Sequence, residues 1–514
     1  MRSIDAVLGI DLGTSVVKAG VYTADGVERA AGSCPVALRR LGGGHVEQDL
    51  DEFYAAAAAA TRAALADSGF DPARIGAVAV AGQMAGVGLV DAAHRPLAPF
   101  DSWLDSRCGP VVDELAARHG ERIAATSGCA PTLSIGPKML WWQRTHPALC
   151  AKAASFVTAA GYVAGRAAGL AGREAFIDPS HLHFTAVADV GAGTWDDALV
   201  ADLGLDPRLL PRITQSTDVV GVLTAEAADD FGLPPGVPVA AGCGDTAAGA
   251  LGAGVTEPEH AFDVAGTAAV FGVCLPAFAP DTGGALLTMR AALPGRWYSL
   301  AYVGGAGQVL EWVGREVLGS ATMDSGAYDG LAAVAATVPP GSDGVVLVPH
   351  FSGRIAPVAP ATRGAVVGLG TEHHRGHLAR AVLEAIAFEY RGYADAARAS
   401  VPGLTLRSVT GSGGGSRSAV WNRIKANVLG VAYAPVRGIE AGTRGAAIVG
   451  LVSLGHDVPP LDASAVGEVE LPDPADTAAY EAAYEGYRWW TERLVQGYRL
   501  RAEDISERRG GEDA

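Results

Sequence analysis

The sequence predicts a duplicated α/β protein, two lobes enclosing a cleft, and three observations carry that reading. Its 514 residues exceed the usual span of a single core. Short apolar runs alternate with helical patterns along most of the chain. One pattern, strand, Gly-Thr turn, strand, occurs twice: Asp11-Leu12-Gly13-Thr14 opens the first half and Asp263-Val264-Ala265-Gly266-Thr267 the second. Lobes built in this way hold ligands where strand ends and glycine turns converge.

Each element follows from its residues. VLGIDLGTSVVKAGVYTA (7–24) reads as two apolar strands around a Gly/Thr/Ser turn, and Asp25-Gly26 is a hairpin dipeptide leading to a third strand, VERAAGSCPVAL. The alanine-rich stretch from Asp51 to Ala66 is a helix, and RIGAVAVAGQ (74–83) a buried parallel strand. The second half repeats the order. AFDVAGTAAVFGVC (261–274) is a strand, turn and strand; ALLTMRAAL and RWYSLAYV are further strands; GQVLEWVGREVL is an amphipathic helix. GVVLVP (344–349) reads as a core strand. Leu378, Val382, Ile386 and Tyr390 recur at the spacing of one helical face. SVTGSGGG is a strand entering a glycine turn, SAVWNRIKANVL a helix, VAYAPV a strand, and TRGAAIVGLVSLG a helix closed by Gly455. The expected division is a first lobe over 1–255, a second over 256–500, and a disordered tail over 501–514, rich in charge and glycine.

Composition removes several function classes. The net charge is −17 and no Lys/Arg patch is present, which argues against nucleic acid. No run of about 18 apolar residues offers a membrane span. MRSIDAVLGID enters a strand at once, without the pattern of a signal peptide. The six cysteines have neither zinc nor redox spacing, so free thiols in the cytoplasm are expected. His181 and His183, like His373, His374 and His377, lack the further ligands a metal site needs.

Four places carry chemistry. Gly13, Thr14 and Ser15 free backbone N–H groups and hydroxyls to cradle an anion, with Lys18 three residues on. Asp11, just before them, is suited to hold Mg²⁺ through water. A lone turn of this kind is usually just a hairpin. The second one, at Gly266-Thr267, turns the pair into a clamp for a nucleotide triphosphate. The cluster Gly411-Ser412-Gly413-Gly414-Gly415-Ser416, ahead of the helix carrying Asn422, lets a flat ring approach the backbone, although GSGGGSRS is not a Walker motif. Asp245, presented by Gly242-Cys243-Gly244 at a strand end, is placed either as a general base on a hydroxyl or as a helix N-cap. The local pattern leaves those two roles equal.

The segments GIDLGTSVVKAGVY, GQMAGVGLVD, SWLDSR, AGCGDTAAGALGAG, DVAGTAAV and GSGGGSRSAVWNRIKANVLG resemble the FGGY carbohydrate kinase family, with xylulokinases its nearest well-known members. The resemblance runs from about Leu8 to about Leu500. It implies two ribonuclease-H-like lobes of the actin-like ATPase type with an interlobe cleft. It implies ATP-dependent phosphorylation, with Mg²⁺, of a small ketose such as a pentulose at a primary hydroxyl. Asp245 becomes the base and, with Asp11, a place for Mg²⁺. Gly13, Thr14, Ser15, Lys18, Gly266 and Thr267 fall on the phosphate side, and Gly413, Gly414 and Asn422 on the adenine and ribose side. Gln83, Met84, Trp103, Asp105 and Arg107 fall in the sugar-binding segments. Family analogy alone suggests a homodimer. Xylulokinases usually read Gln-Met-His-Gly where this chain has Gln83-Met84-Ala85-Gly86. A site built to pair a hydroxyl discriminates strongly, so the missing imidazole is expected to shift the accepted sugar away from D-xylulose. Ribulose, gluconate, a tetritol or glycerol are the alternatives within the family. An actin-like nucleotide switch is the alternative from another class, but it has no use for Asp245, SWLDSR or GQMAG.

Overall fold

A computed structural model describes residues 5–512 with the exception of Thr267. The first half opens with β1 (Ala6–Leu12), β2 (Val16–Thr23) and β3 (Glu28–Pro35), each antiparallel to the one before. Helix α1 (Leu50–Ser68) covers them. Its alanines favour the helix, the Asp49 carboxylate caps the Asp51 and Glu52 N–H groups, and left-handed Gly69 ends it. β4 (Ile75–Gly82), buried throughout, runs parallel to β1. Part of the stretch 87–213 then forms a further cluster with its own core, including Val87, Leu115, Phe156 and Leu182, and contains α2 (Ile135–Thr145), while Val157, Tyr162 and Phe176 join the core beneath α1. The chain returns to the sheet with β5 (Val219–Val222), β6 (Pro238–Ala240) and β7 (Cys243–Gly244). The strand order is β5-β6-β4-β1-β2-β3, with β7 also pairing with β4. Helix α3 (Asp245–Gly252) leaves directly from β7.

The second half builds the same sheet again from β8 (His260–Ala265), β9 (Ala269–Leu275), β10 (Leu287–Arg290) and β11 (Trp297–Val303). It continues with α4 (Arg375–Ser400), β12 (Ser408–Ser412), α5 (Ala419–Leu429) and β13 (Ala432–Pro435). The strand order is β10-β11-β9-β8-β12-β13. In both halves the first strand is antiparallel to the second and parallel to a later one, so the duplication seen in the sequence is a duplication of topology.

Helix α6 (Ala441–Ser453) belongs to the second half by sequence yet packs on β1, β4 and α3. Ala79, Ala81, Ala247, Leu251, Ala446 and Val449 share one apolar cluster with Phe262, Tyr298 and Leu300. The two sheets therefore sandwich α3 and α6. The chain ends in a long helix, α7 (Pro474–Glu512).

Two expectations need correction. The segment read as a disordered tail over 501–514 continues α7 as far as Glu512. Its Glu and Arg residues are good helix formers, and extending an existing helix avoids the cost of nucleation. GVVLVP does supply a core strand, Val346–Val348, which pairs with Ala365–Val367 and places Leu347 in the core beneath α4. The helix read over GQVLEWVGREVL widens after Trp312 into a π turn over Val313–Val317.

Candidate active site

Strand alternation aims the first carboxylate. Leu8, Ile10 and Leu12 enter the core beneath α1, and Asp11 therefore turns to the opposite face, toward α6. A Cβ at Gly442 would collide with the Asp11 carboxylate, so the start of α6 comes this close only because that residue is glycine. The second carboxylate comes from the end of β7, on the far side of β4 from β1. Cys243 pairs with Ala81 on β4, and Ala81 pairs with Asp11, so Asp245 emerges one strand pair away from it. Asp245 is the first residue of α3 while Gly244 takes the cap position, and its Oδ1 accepts from Thr246 N–H at 2.6 Å and from the Thr246 hydroxyl at 3.2 Å.

The two acids feel each other. Burial, reinforced by the Asp245 charge, pushes the Asp11 carboxyl up to about 7 against the pull of Lys18. Burial also raises Asp245, opposed by the Thr246 hydrogen bonds and by His181. Asp11 Oδ1 is buried and unpartnered within the protein. An acidic pair with such an oxygen fits a hard divalent cation that keeps part of its water. Among the described residues no three His, Cys, Asp or Glu side chains converge as ligands.

The first hairpin is tied to the sugar-side segments. Trp103 Nε1 donates to Thr14 Oγ1 at 2.9 Å, and Gln83 Nε2 donates to Gln48 Oε1 at 2.8 Å. Gln48 Nε2 in turn donates to the Thr14 carbonyl at 2.9 Å. Thr14, Gln83 and Trp103, predicted for two different ligands, thus meet in one network through Gln48, and the Ser15 carbonyl closes the hairpin base by accepting from Val36 N–H. Trp103 keeps 46% of its surface exposed, whereas Met84 is buried against Gly244. Lys18 lies opposite Asp11 on β2 and donates to Glu440 at 2.6 Å.

Asp105 and Arg107 take other positions. The Asp105 carboxylate is wholly enclosed and accepts from Val46 N–H and from Arg107, while Arg107 also reaches Asp101 and Glu47. They brace the loop that carries Trp103. Lys138 on α2, which the sequence reading missed, completes the brace. Its ammonium donates to the carbonyls of Ala85 at 2.9 Å and Ser102 at 2.7 Å, and burial lowers its pKa to about 8. A lysine inside the apolar run Ile135–Leu140 was the available signal.

The second half presents a hairpin without a matching carboxylate. Asp11 lies two residues before Gly13, but Asp263 lies three before Gly266. One extra strand residue reverses the face. Asp263 consequently points into its own lobe's core, where Lys425 Nζ at 2.5 Å, Tyr433 at 2.6 Å and Tyr390 at 2.7 Å surround it. Gly266 is exposed at the turn and Thr267 lies outside the described residues. Beside it, Gly413 has a φ of 79°, and a Cβ there would sit 2.6 Å from the Ala265 carbonyl, so the glycine loop lies directly against the end of β8. Gly414 faces open space. Asn422 is buried and donates to the Ser416 carbonyl at 2.8 Å, shaping this loop from beneath.

Two of the histidines lie buried beside Asp178. His181 Nδ1 bonds Asp178 at 2.5 Å; burial disfavours its charge, but Asp178 prevails and raises its pKa. Burial and the neighbouring His181 push His183 down to about 3, so it is neutral.

Two duplicated sheets with helices between them, and acids at the junction of strand ends, define the actin-like ATPase fold. The chain belongs to the FGGY family of carbohydrate kinases: residues 6–252 match the family's N-terminal domain and 262–454 its C-terminal domain. It is similar to the xylulose kinase of Escherichia coli, 29% identical over 95% of this chain and 99% of that protein. The crystal structure of xylulose kinase from Rhodospirillum rubrum superposes with a TM-score of 0.87 at 29% identity, covering 96% of this chain and all of the other. A glycerol kinase of Deinococcus radiodurans is 27% identical over 88% of this chain and 89% of its own.

Proposed function

We propose that the protein transfers the γ-phosphoryl group of ATP to a primary hydroxyl of a small ketose, a pentulose in the first instance, with Asp245 as general base. The observation that carries this is the convergence of Asp11 and Asp245 from strand ends on either side of β4, in a chain whose relatives include xylulose kinases along nearly its full length.

Asp245 accepts the proton of the sugar hydroxyl as its oxygen attacks the terminal phosphorus. The hydrogen bonds from Thr246 hold one carboxylate oxygen and favour the charged form needed for that role. Backbone N–H groups of the two hairpins at Gly13 and Gly266 stabilise the phosphoryl oxygens, and Lys18 adds a positive charge nearby. Asp11, with Asp245, would hold Mg²⁺, which neutralises charge on the phosphates when bound. The glycine loop at Gly413 and Gly414 offers a flat backbone surface to the adenine. Trp103 and Gln83 orient the sugar.

The test is an ADP-release screen over ketoses, polyols and sugar acids, run on the parent and on Asp245→Asn. Activity on at least one ketose is expected, lost about a thousandfold in the variant while ATP still binds. Because Ala85 replaces the family's usual imidazole, D-xylulose should not have the highest kcat/KM. Near-normal turnover by Asp245→Asn would remove the base assignment, and activity confined to sugar acids would remove the ketose.

A further inference from the structure

Asp178, Ser180, His181 and Ser216 form an enclosed polar knot behind Asp245. Asp178 caps the short 3₁₀ turn Pro179–Phe184. Its Oδ1 accepts from Ser180 N–H at 2.9 Å, from the Ser180 hydroxyl, and from the Ser216 hydroxyl at 3.4 Å. Its Oδ2 holds the His181 imidazole at 2.5 Å. All four side chains are nearly inaccessible, so a low-dielectric surrounding strengthens each bond.

The knot grips the strand end that delivers Asp245. Having donated its proton to Asp178, the Ser180 hydroxyl has only lone pairs left, and it accepts the Gly244 N–H at 2.8 Å. The Ser216 carbonyl accepts the Gly242 N–H at 3.0 Å. Gly242 and Gly244 have no side chains through which packing could fix their backbone, and glycine has the widest conformational freedom of any residue. These two hydrogen bonds supply the constraint from outside the strand. The held N–H belongs to the Cys243–Gly244 peptide, one peptide plane before Asp245, so it fixes the strand end from which the carboxylate is presented.

We propose that Asp178 and Ser180 are positioning residues for phosphoryl transfer, acting through the Ser180 Oγ to Gly244 N–H bond to aim Asp245. This rests on the reading of Asp245 as the base. Transfer demands reacting atoms held within a fraction of an ångström, and a displacement of about 1 Å can cost about a hundredfold in rate. A knot that merely satisfied buried polar groups would affect stability and leave the chemistry alone.

The experiment measures steady-state kinetics and thermal midpoints for full-length Ser180→Ala, Ser180→Thr and Asp245→Asn, using ATP and the best sugar of the screen. Ser180→Ala is expected to lose about tenfold to a hundredfold in kcat, with KM for both substrates within about twofold of the parent. Ser180→Thr, which keeps the hydroxyl, should recover most of that loss. A Ser180→Ala kcat within about twofold of the parent, or an equal loss in Ser180→Thr, overturns the proposal. Should Ser180→Ala fail to fold, Asp178→Asn takes its place: the same loss confined to kcat supports the proposal, and a parental kcat overturns it. An inactive Asp245→Asn beside a fully active Ser180→Ala removes only this inference. An active Asp245→Asn removes the base assignment beneath it.

Discussion

Lys138 shows how a single side chain sets a surface it does not belong to. Its two acceptors, the carbonyls of Ala85 and Ser102, stand next to Met84 and Trp103, so one ammonium fixes the spacing of two sugar-side segments. Ala85 has a φ of 63°, a conformation that costs an alanine about 1 kcal/mol or more, and the lysine bond helps hold it there. Lys138→Met would leave both carbonyls without their donor. It is expected to raise KM for the sugar about tenfold while leaving KM for ATP within twofold, because a geometric loss in a binding segment weakens ground state and transition state together. Equal changes in both constants would assign Lys138 to general stability instead.

At the scale of elements, the contrast between Asp11 and Asp263 is the most informative. Both end a first strand before a Gly-Thr turn, yet one faces the junction of the lobes and the other a core closed by α4 and α5. The buried Lys425–Asp263 pair is covered by Trp421, whose ring lies 3.9 Å from the lysine nitrogen. Lys425→Met leaves an unpaired interior carboxylate, and breaking such a pair by removing one partner costs about 3–5 kcal/mol. A urea midpoint unchanged from the parent would show that the pair adds nothing to stability. The repeat itself was legible because hydrophobic period and turn residues are local properties. The face on which each acid lands was written in the same residues, as one extra position between Asp263 and Gly266, and is decided by strand alternation rather than by motif. Gln48, Lys138 and Asp178 could not be read so directly. Their partners lie far along the chain, and only the assembled fold brings them to Thr14, Ala85 and Gly244. The end of α7 went unread for a different reason: charge and glycine resemble a disordered tail, whereas an established helix extends at little cost.

At the scale of the whole molecule, Glu389 on α4 joins parts distant in sequence. It accepts from Tyr487 of α7 at 2.7 Å and from Tyr393 at 3.3 Å, and lies 3.5 Å from both His350 and Arg354. Burial alone would raise its carboxyl, but His350 and Arg354 prevail and hold it at about 2, below its ordinary 4.5. Between those values the unfolded chain binds a proton that the folded one does not, so stability must fall as pH drops through that window. Neutral His183, at about 3 rather than 6.5, acts in the same direction from a higher starting pH. The raised Asp11, Asp245 and His181 act in the opposite sense near neutrality, so the decline in urea midpoint that belongs to Glu389 should appear below about pH 4.5. Glu389→Gln should begin less stable and lose that decline. An unaltered slope in that variant would exclude Glu389 as its source.

The helices held between the two sheets have a mechanical consequence. α3 starts with Asp245 and touches α6 through residues without bulk, Gly252 against Ala441 and Gly445 against Ala248. Such a seam can slide but cannot absorb a large side chain. Asp245, the proposed base, thus stands at the head of the helix layer held between the two sheets, and any rotation of one sheet against the other would be felt at that layer.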